Sequence, residues 1–452
     1  MPERFVVIGG DAAGMSAAAQ ARRRRDERDL EIVAFERGSY TSYAACGLPY
    51  FVADMVPDAQ RLIARSPEQH RERGVDVRTG HEAVAIDVER RVVRVRCLDD
   101  GTETDEPYDR LLIATGASPI RPELPGADAA GIFGIQTITD GIALRAAIDD
   151  HDPRHAVVVG CGYIGLEMAE AMTKRGLEVS LIEAGPQPMS TLDPDMGALV
   201  ADALRDLGVS LHLGTAAEGF LVEGGRVRAV ATREREFPAD IVVLGIGVTP
   251  NVDLAYHAGI GIGSTGAIQT DQRMQTTIDG VYAAGDCAES FHRVSRRPAF
   301  VALGTHANKQ GRVVGVNASG GYATFPGVVG TAITKVCDYE VGRTGLNESE
   351  ARRAGFAYDV ARIEARTRAH YYPGASKVTV KMLAEQRTGR LLGAQIIGKE
   401  GAAKRIDVVA AAVWNGMTAS EFANLDLGYA PPFSPVWDPV LTAARKVSGA
   451  GD

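Results

Sequence analysis

Cysteine is scarce in this chain. Five stand in 452 residues, at positions 46, 97, 161, 287 and 337. None form a Cys-x-x-Cys pair, and no Cys/His cluster has zinc spacing, so neither a metal centre nor a disulfide framework is expected. An odd, scattered set suits a reducing cytoplasm better than a secreted protein. Long apolar runs are missing too. Nothing reaches the roughly 18 residues that cross a bilayer, and no membrane partner is expected. Positive charge is not in excess: the formal net charge is −9, which gives no pull toward nucleic acid or anionic lipid. Hydrophobic residues make up 45% and charged residues 24%, as in ordinary globular proteins. The length allows about three domains of ~150 residues. The apolar stretch Gly9–Ala19 is no signal peptide, because its basic cluster, Arg22–Arg25, follows it instead of preceding it.

What is present is one unit written twice. Phe5–Ile8 is a continuous apolar run, the pattern of a buried parallel strand. It meets Gly9-Gly10-Asp11-Ala12-Ala13-Gly14, then a helix-compatible segment from Met15 to about Arg25, a second strand at Glu31–Phe35, and Glu36. Strand, glycine turn, helix, strand, acid is the order of a dinucleotide-binding unit. The glycines let the backbone approach a pyrophosphate resting on the helix N-terminus. Asp11 departs from the pattern by placing an anion there; it is expected to cap the helix and point away. The second copy has the full motif: Ala156–Val159, then Gly160-Cys161-Gly162-Tyr163-Ile164-Gly165, a helix to about Arg175, a strand at Leu177–Ile182, and Glu183. LEIVAFERG from Leu30 matches LEVSLIEAG from Leu177, and DRLLIATG from Asp109 matches DIVVLGIG from Asp240. Two such units imply two dinucleotides.

Pro119, Pro122 and Pro125 make a connector between the units, and Pro250 marks a second crossing. Val281–Asp286 reads as one more strand ending in an acid, so the first domain resumes after the second is inserted. From about Phe325 the character changes. Strands are expected at Val328–Lys335, Tyr339–Thr344, Lys377–Leu383 and Leu391–Ile397, a helix at Lys404–Asn415, and a frayed tail at Ser448–Asp452. The fold class is therefore α/β: two Rossmann-like domains, one nested in the other, and a C-terminal α+β domain.

GGDAAGMSAA, FERG…CGLPY, IATGASP, VGCGYIGLEMAE, VYAAGDCAE, ALGTHANKQGR, KVCDYEVGRTGL and DLGYAPPFSPVWDPV follow one another along the chain. In this order they resemble the single-cysteine branch of the FAD-dependent pyridine nucleotide-disulfide oxidoreductases. That branch includes coenzyme A disulfide reductases, NADH oxidases and peroxidases, and persulfide reductases. The resemblance spans nearly the whole chain. It implies FAD on the first unit, NADH on the second, and a third domain that builds a homodimer and completes the partner's active site. The implied boundaries are 1–118 and 247–324 for the FAD domain, 119–246 for the NADH domain and 325–452 for the interface domain. Gly9, Ala13, Gly14, Glu36 and Arg37 are expected to face FAD, with Thr115, Gly116 and Asp286 closing over it. Gly160, Gly162, Ile164, Gly165 and Glu183 belong to NADH, with Tyr163 covering the nicotinamide slot and Glu167 beside it. An acid at Glu183 accepts from a ribose hydroxyl and repels a 2′-phosphate. Ala184-Gly185-Pro186 follow, without arginine, so NADH is favoured over NADPH.

Cys46 sits at the centre of Ser39–Tyr50. Two-cysteine relatives have a Cys-x4-Cys pair; here no second thiol stands at that spacing. One sulfur must then cycle between thiolate and a mixed disulfide or sulfenate, with a helix N-terminus and the flavin lowering its pKa. Cys97 and Cys337 read as small buried hydrophobes. The peroxidases and well-studied oxidases have a histidine where this chain has Ala12, which counts against them. Coenzyme A disulfide reductases carry instead a Tyr-Tyr-Pro-Gly and a Tyr-Ala-Pro-Pro segment. Both are present, with Tyr371, Tyr372 and Tyr429 implied as aids to a leaving thiol from the partner subunit. Ala45 replaces an asparagine usual before the cysteine. Arg22 and Ser42 are expected to hold the substrate. The expected activity is NADH-dependent reduction of coenzyme A disulfide or a similar small disulfide. NADH oxidase, persulfide or polysulfide reductase, and an electron-transfer reductase for a protein partner are the alternatives.

Overall fold

Two five-stranded parallel sheets carry the two glycine turns. The first orders its strands Val281–Ala283, Arg110–Ile113, Glu3–Ile8, Leu30–Glu36, Asp76–Thr79. The second runs Ile132–Gly134, Ile241–Leu244, His155–Val159, Glu178–Glu183, Ser210–Leu213. Equivalent strands occupy equivalent places: Val6 pairs with Val33 and Leu111, and Val157 with Ser180 and Val242. The computed structural model describes residues 2–449; of the tail expected at Ser448–Asp452, positions 450–452 lie outside them.

The central strands read as unbroken apolar runs because both their faces are covered. Phe5, Val6, Val7, Val157 and Val158 are fully buried, each contributing ~1.5–3 kcal/mol of transfer free energy. Helices Ala12–Arg22 and Tyr163–Lys174 start directly after the turns. The first lies about one turn earlier in the sequence than expected, because Asp11 already takes the N-cap position.

The edge strand of each sheet comes from the opposite chain direction. Ile132–Gly134 precedes its unit's glycine turn, whereas Val281–Ala283 follows the whole nested unit. Helix Gly304–Ala318 then returns to pack on Ala12–Arg22. A Cβ on Gly311 would lie 2.2 Å from the Ala13 carbonyl oxygen, so the two backbones touch where only glycine fits. The first domain does resume late in the chain. Where the chain crosses between units, Ala117–Pro119 pairs with Val248–Pro250.

Each unit also carries a three-stranded antiparallel sheet that was not expected. One comprises His81–Asp87, Val92–Cys97 and Glu103–Pro107; the other comprises Ala217–Glu223, Arg226–Thr232 and Glu236–Pro238. The C-terminal domain is an antiparallel sheet ordered Ala332–Val336, Tyr339–Gly345, Leu391–Gly398, Lys377–Glu385, Tyr358–Arg366. Helices Ile406–Asn415 and Pro439–Val447 pack against it. Strand Tyr358–Arg366 and helix Pro439–Val447 are additions to the expected set.

Candidate active site

Both glycine turns open into one cleft of about 2430 Å³. At the first turn a Cβ on Gly14 would lie 1.9 Å from the Gly9 carbonyl oxygen; at the second, a Cβ on Gly165 would lie 2.0 Å from that of Gly160. Helix and strand are packed as tightly as backbone allows, which aims each helix N-terminus at the cleft. Neither N-terminus has a side-chain cap. Their free N–H groups suit a pyrophosphate.

The two acids behave alike. Glu36 accepts from the N–H of Gly10 (2.8 Å) and of Gly38 (2.7 Å). Glu183 accepts from the N–H of Cys161 and of Gly185, both at 2.7 Å. Each carboxylate is fixed at the strand end with lone pairs left over for ribose hydroxyls. These residues therefore fit a dinucleotide at each turn. Ala13, Arg37, Thr115, Gly116 and Ile164 line the same cleft.

Asp11 does not cap its helix. Its Oδ1 accepts from the N–H of Tyr43 at 3.2 Å, which pins the cysteine-bearing segment to the glycine turn. Burial, with Glu36 and Asp286 nearby, pushes the Asp11 carboxyl up to about 6. Burial alone pushes Asp286 up to about 6. Asn251, which sequence reasoning missed, ties the two crossings together. It accepts from the Thr115 hydroxyl through its backbone carbonyl (2.7 Å) and donates to the Thr115 carbonyl through its amide (2.8 Å). Pro250 was the only signal beside it.

Cys46 lies in the 3-10 turn Ala45–Gly47 that enters helix Leu48–Val52. It is the exposed cysteine and faces the cleft; Cys161 and Cys287 are buried. Cys97 and Cys337 are half-buried, not core residues as expected. The expectation of a lowered Cys46 pKa is corrected. The cleft walls desolvate the thiol, and Glu167, Asp286 and Asp11 add negative charge, so its pKa rises. Hydrogen bonding from backbone at a five-residue helix does not offset them. In the cofactor-free protein, iodoacetamide alkylation of Cys46 is expected to be slow at neutral pH and to climb above the usual thiol range. Glu167→Gln is expected to shift that profile to lower pH; a profile centred below pH 8 in wild type would contradict the electrostatics. Glu167 itself is held by the Thr334 hydroxyl (2.9 Å), and burial raises its carboxyl. Tyr50, one helical turn after Cys46, also lines the cleft.

Arg22 and Ser42, expected at the substrate, make their hydrogen bonds within the chain. The Arg22 guanidinium donates to the carbonyls of Gly74, Arg25 and Leu30 at 2.8–3.0 Å, so three of its five N–H groups are spent on the chain itself. The Ser42 hydroxyl pairs with His70 at 2.9 Å. Instead Arg65 has Arg73 and Arg23 as cationic neighbours; burial first, and then their repulsion, lowers its pKa. The Thr41 hydroxyl donates to the Arg65 carbonyl, which ties the Arg65 backbone to the cysteine segment. Arg23 belongs to the basic run Arg22–Arg25, which the sequence did offer for phosphate binding, but Arg65 and Arg73, distant from it in the chain, left no signal.

Tyr371, Tyr372 and Tyr429 do not line this cleft. They are exposed on the C-terminal domain, Tyr371 by 66%, and the same domain also exposes Phe433 (77%) and Trp437 (55%). Tyr371 and Tyr429 are brought together, and the Tyr371 hydroxyl raises the Tyr429 phenol.

The family model described as pyridine nucleotide-disulphide oxidoreductase matches residues 3–311, and that of the family's dimerisation domain matches residues 331–439. The chain belongs to the pyridine nucleotide-disulphide oxidoreductases. This oxidoreductase is 41% identical over 447 residues, 98% of each chain, to the NAD(P)H sulfur oxidoreductase (CoA-dependent) of Pyrococcus furiosus. It is 30% identical to the coenzyme A disulfide reductase of Staphylococcus haemolyticus, over 95% of this chain and 96% of that one. Its fold superposes on reduced Bacillus anthracis CoADR-RHD with a TM-score of 0.96 at 34% identity, covering 100% of this chain and 81% of that one. The α/β class with two Rossmann-type domains and a C-terminal dimerisation domain is thus the family's own. No described helix is long and apolar enough to cross a membrane.

Proposed function

We propose that this oxidoreductase reduces coenzyme A disulfide or a close relative with NADH, using FAD and the single thiol of Cys46. One observation carries the reading: Cys46 is the exposed cysteine of the cleft that both glycine turns line. FAD belongs to the first turn with Glu36, Arg37, Thr115 and Asp286, and NADH to the second with Glu183, Tyr163 and Glu167. Residues 1–118 and 247–324 form the FAD domain, 119–246 the NADH domain and 325–452 the interface of a cytoplasmic homodimer. Bound FAD supplies a two-electron relay between nicotinamide and thiol. The Cys46 thiolate attacks one substrate sulfur; the disulfide bond breaks, a Cys46 mixed disulfide forms, and the first thiol leaves with a proton. Two electrons then cleave the mixed disulfide and free the second thiol. Tyr429 and Tyr371 or Tyr372 of the partner subunit hold the departing thiol by hydrogen bond. Arg23, Arg65 and Arg73 hold the substrate's phosphates, since gathered like charges favour an anionic ligand.

Anaerobic turnover tests this. With coenzyme A disulfide, two thiols per NADH are expected, and Arg65→Ala with Arg73→Ala is expected to raise KM about tenfold for that substrate but not for a small uncharged disulfide. No anaerobic consumption, with NADH lost rapidly in air, would assign an oxidase. A second reading, reduction of a coenzyme A persulfide or polysulfide, is favoured by the higher identity to the sulfur oxidoreductase, 41% against 30%. It predicts one sulfide released per NADH.

A further inference from the structure

Two anchors hold the cysteine segment, one on each side of Cys46. Upstream, the Tyr43 N–H donates to Asp11 and the Ser42 N–H donates to the Gly10 carbonyl at 3.1 Å, both in the first glycine turn. Downstream, the chain belongs to the other unit. Helix Leu48–Val52 packs against helices Ile138–His151 and Tyr163–Lys174 of the nested unit. Leu48, Phe51 and Val52 are buried in one apolar cluster with Ile135, Ile138 and Leu166. A Cβ on Gly141 would lie 2.8 Å from Cδ2 of Leu48, so any side chain there would have to push Leu48 aside.

Two arginines of the nested unit grip the far end of this helix. The last carbonyls of a helix have no partner inside it. Here the Arg145 guanidinium donates to the carbonyls of Phe51 (3.1 Å) and Val56 (3.0 Å) and to the Asp54 carboxylate (2.5 Å). It also lies over the Phe51 ring, 4.7 Å from the centroid. Arg175, which follows helix Tyr163–Lys174, donates to the Val52 carbonyl at 3.1 Å. Asp149 joins the pair: it accepts from Arg175 and lies 3.6 Å from Arg145. Only 18% of the Arg145 side chain and 16% of the Arg175 side chain are exposed. Charge-assisted bonds from forks shielded in this way are the strong kind.

We propose that Arg145 and Arg175 are positioning residues for Cys46: by gripping the far end of its helix, they make the place of the sulfur in the cleft depend on the nested unit. The catalytic consequence rests on the reading of Cys46 as the redox thiol. At about 1.5 Å per residue this helix is too short to absorb at one end a shift imposed at the other. A displacement of about 1 Å at a reacting atom costs on the order of 10²-fold in rate.

The pH profile of iodoacetamide alkylation at Cys46, read by mass spectrometry on the cofactor-free protein, reports where the sulfur stands. Arg145→Met keeps an unbranched stem over Phe51 and removes the donors. Arg145→Lys keeps the charge and removes the fork. In its present place the thiol is desolvated and faces Glu167, Asp286 and Asp11, with Tyr50 beside it. Loss of a cation would, through its field alone, move the profile up; displacement out of this acidic place moves it down. Arg145→Met is expected to quicken alkylation at neutral pH roughly four- to tenfold, as the thiolate fraction rises faster than its nucleophilicity falls. It is also expected to slow disulfide reduction on the order of 10²-fold. Arg145→Lys is expected to fall between Arg145→Met and wild type in both. An unchanged profile, or one moved up, overturns the proposal, whatever the melting temperature does; a merely structural grip would lower that temperature and leave the profile alone. If Arg145→Met does not fold, Arg175→Met, which releases the Val52 carbonyl, decides by the same profile. Disulfide reduction retained by Cys46→Ser would overturn the reading of Cys46, while the profile alone judges the grip on its helix.

Discussion

Replacing Cys46 by serine is expected to abolish disulfide reduction, by three orders of magnitude or more on the scale of nucleophile deletions in enzymes. NADH-driven reduction of a small dye is expected to persist within about twofold, because nothing in the nicotinamide half of the cleft depends on the sulfur. The serine oxygen is isosteric enough to keep the turn Ala45–Gly47, but it cannot form a mixed disulfide. No neighbour can stand in for it. Cys161 also lines the cleft, yet it is buried, and desolvation with Glu183 beside it pushes its thiol up to about 12. Two measurements on one preparation are sufficient: thiol release from coenzyme A disulfide and dye bleaching. Loss of both would point to a folding defect, which flavin content reports. Retention of disulfide reduction would move the thiol chemistry away from Cys46 and favour transfer of electrons to a protein partner.

Subunit mixing should give the second large effect. Tyr371→Phe with Tyr429→Phe is expected to lower disulfide reduction about 10²-fold, the scale of a lost general acid. Rings and packing stay; only hydroxyls go. When this variant is mixed with Cys46→Ser and the dimers are re-formed, the hybrid dimers are expected to regain about half the activity of wild type, as one complete site per C2 dimer requires. The logic is geometric. If the tyrosines serve the partner's cleft, one site of the hybrid collects both defects and the other collects none. If they serve their own cleft, both sites are damaged and mixing restores nothing. The exposure of all three tyrosines on the dimerisation domain, which also exposes Phe433 and Trp437, outside their own chain's cleft, argues for the first outcome.

Much of this was written in the sequence, and unevenly. The nested units were legible because buried parallel strands are unbroken apolar runs, and because LEIVAFERG and LEVSLIEAG repeat each other across 147 positions. The late return of Val281–Ala283 was legible from its acid. The three-stranded sheets were not, because a run such as VVRVRC alternates valine with arginine and reads as surface until its one buried face is known. The strand Tyr358–Arg366 hid in the same way.

Site residues divide along a similar line. Positions fixed by backbone need, such as Gly14 and Gly165, could be read directly. Arg22 could not: an arginine at the end of a helix looks the same whether it grips a phosphate or three carbonyls of its own chain. The cationic group of Arg23, Arg65 and Arg73 was hidden because it is assembled by folding from distant segments. The Cys46 pKa was misjudged because the motif shows the helix, whereas Glu167 and Asp286 reach the thiol from other elements.

The placement of the two edge strands bears on how the chain is made. As it leaves the ribosome, every strand of the second parallel sheet, from Ile132–Gly134 to Ile241–Leu244, has emerged before Val281–Ala283 exists. Domains fold as units during synthesis, usually the N-terminal one first. Here the order inverts. The nested unit can close while the N-terminal sheet waits, one edge unpaired, for a strand and for the helix Gly304–Ala318. An open edge invites pairing with another chain, and this one stays open longest in the nascent protein. Asp286 and Gly304, which line the cleft, arrive with that strand and helix, so the wall of the cleft on this side is complete only once they have emerged.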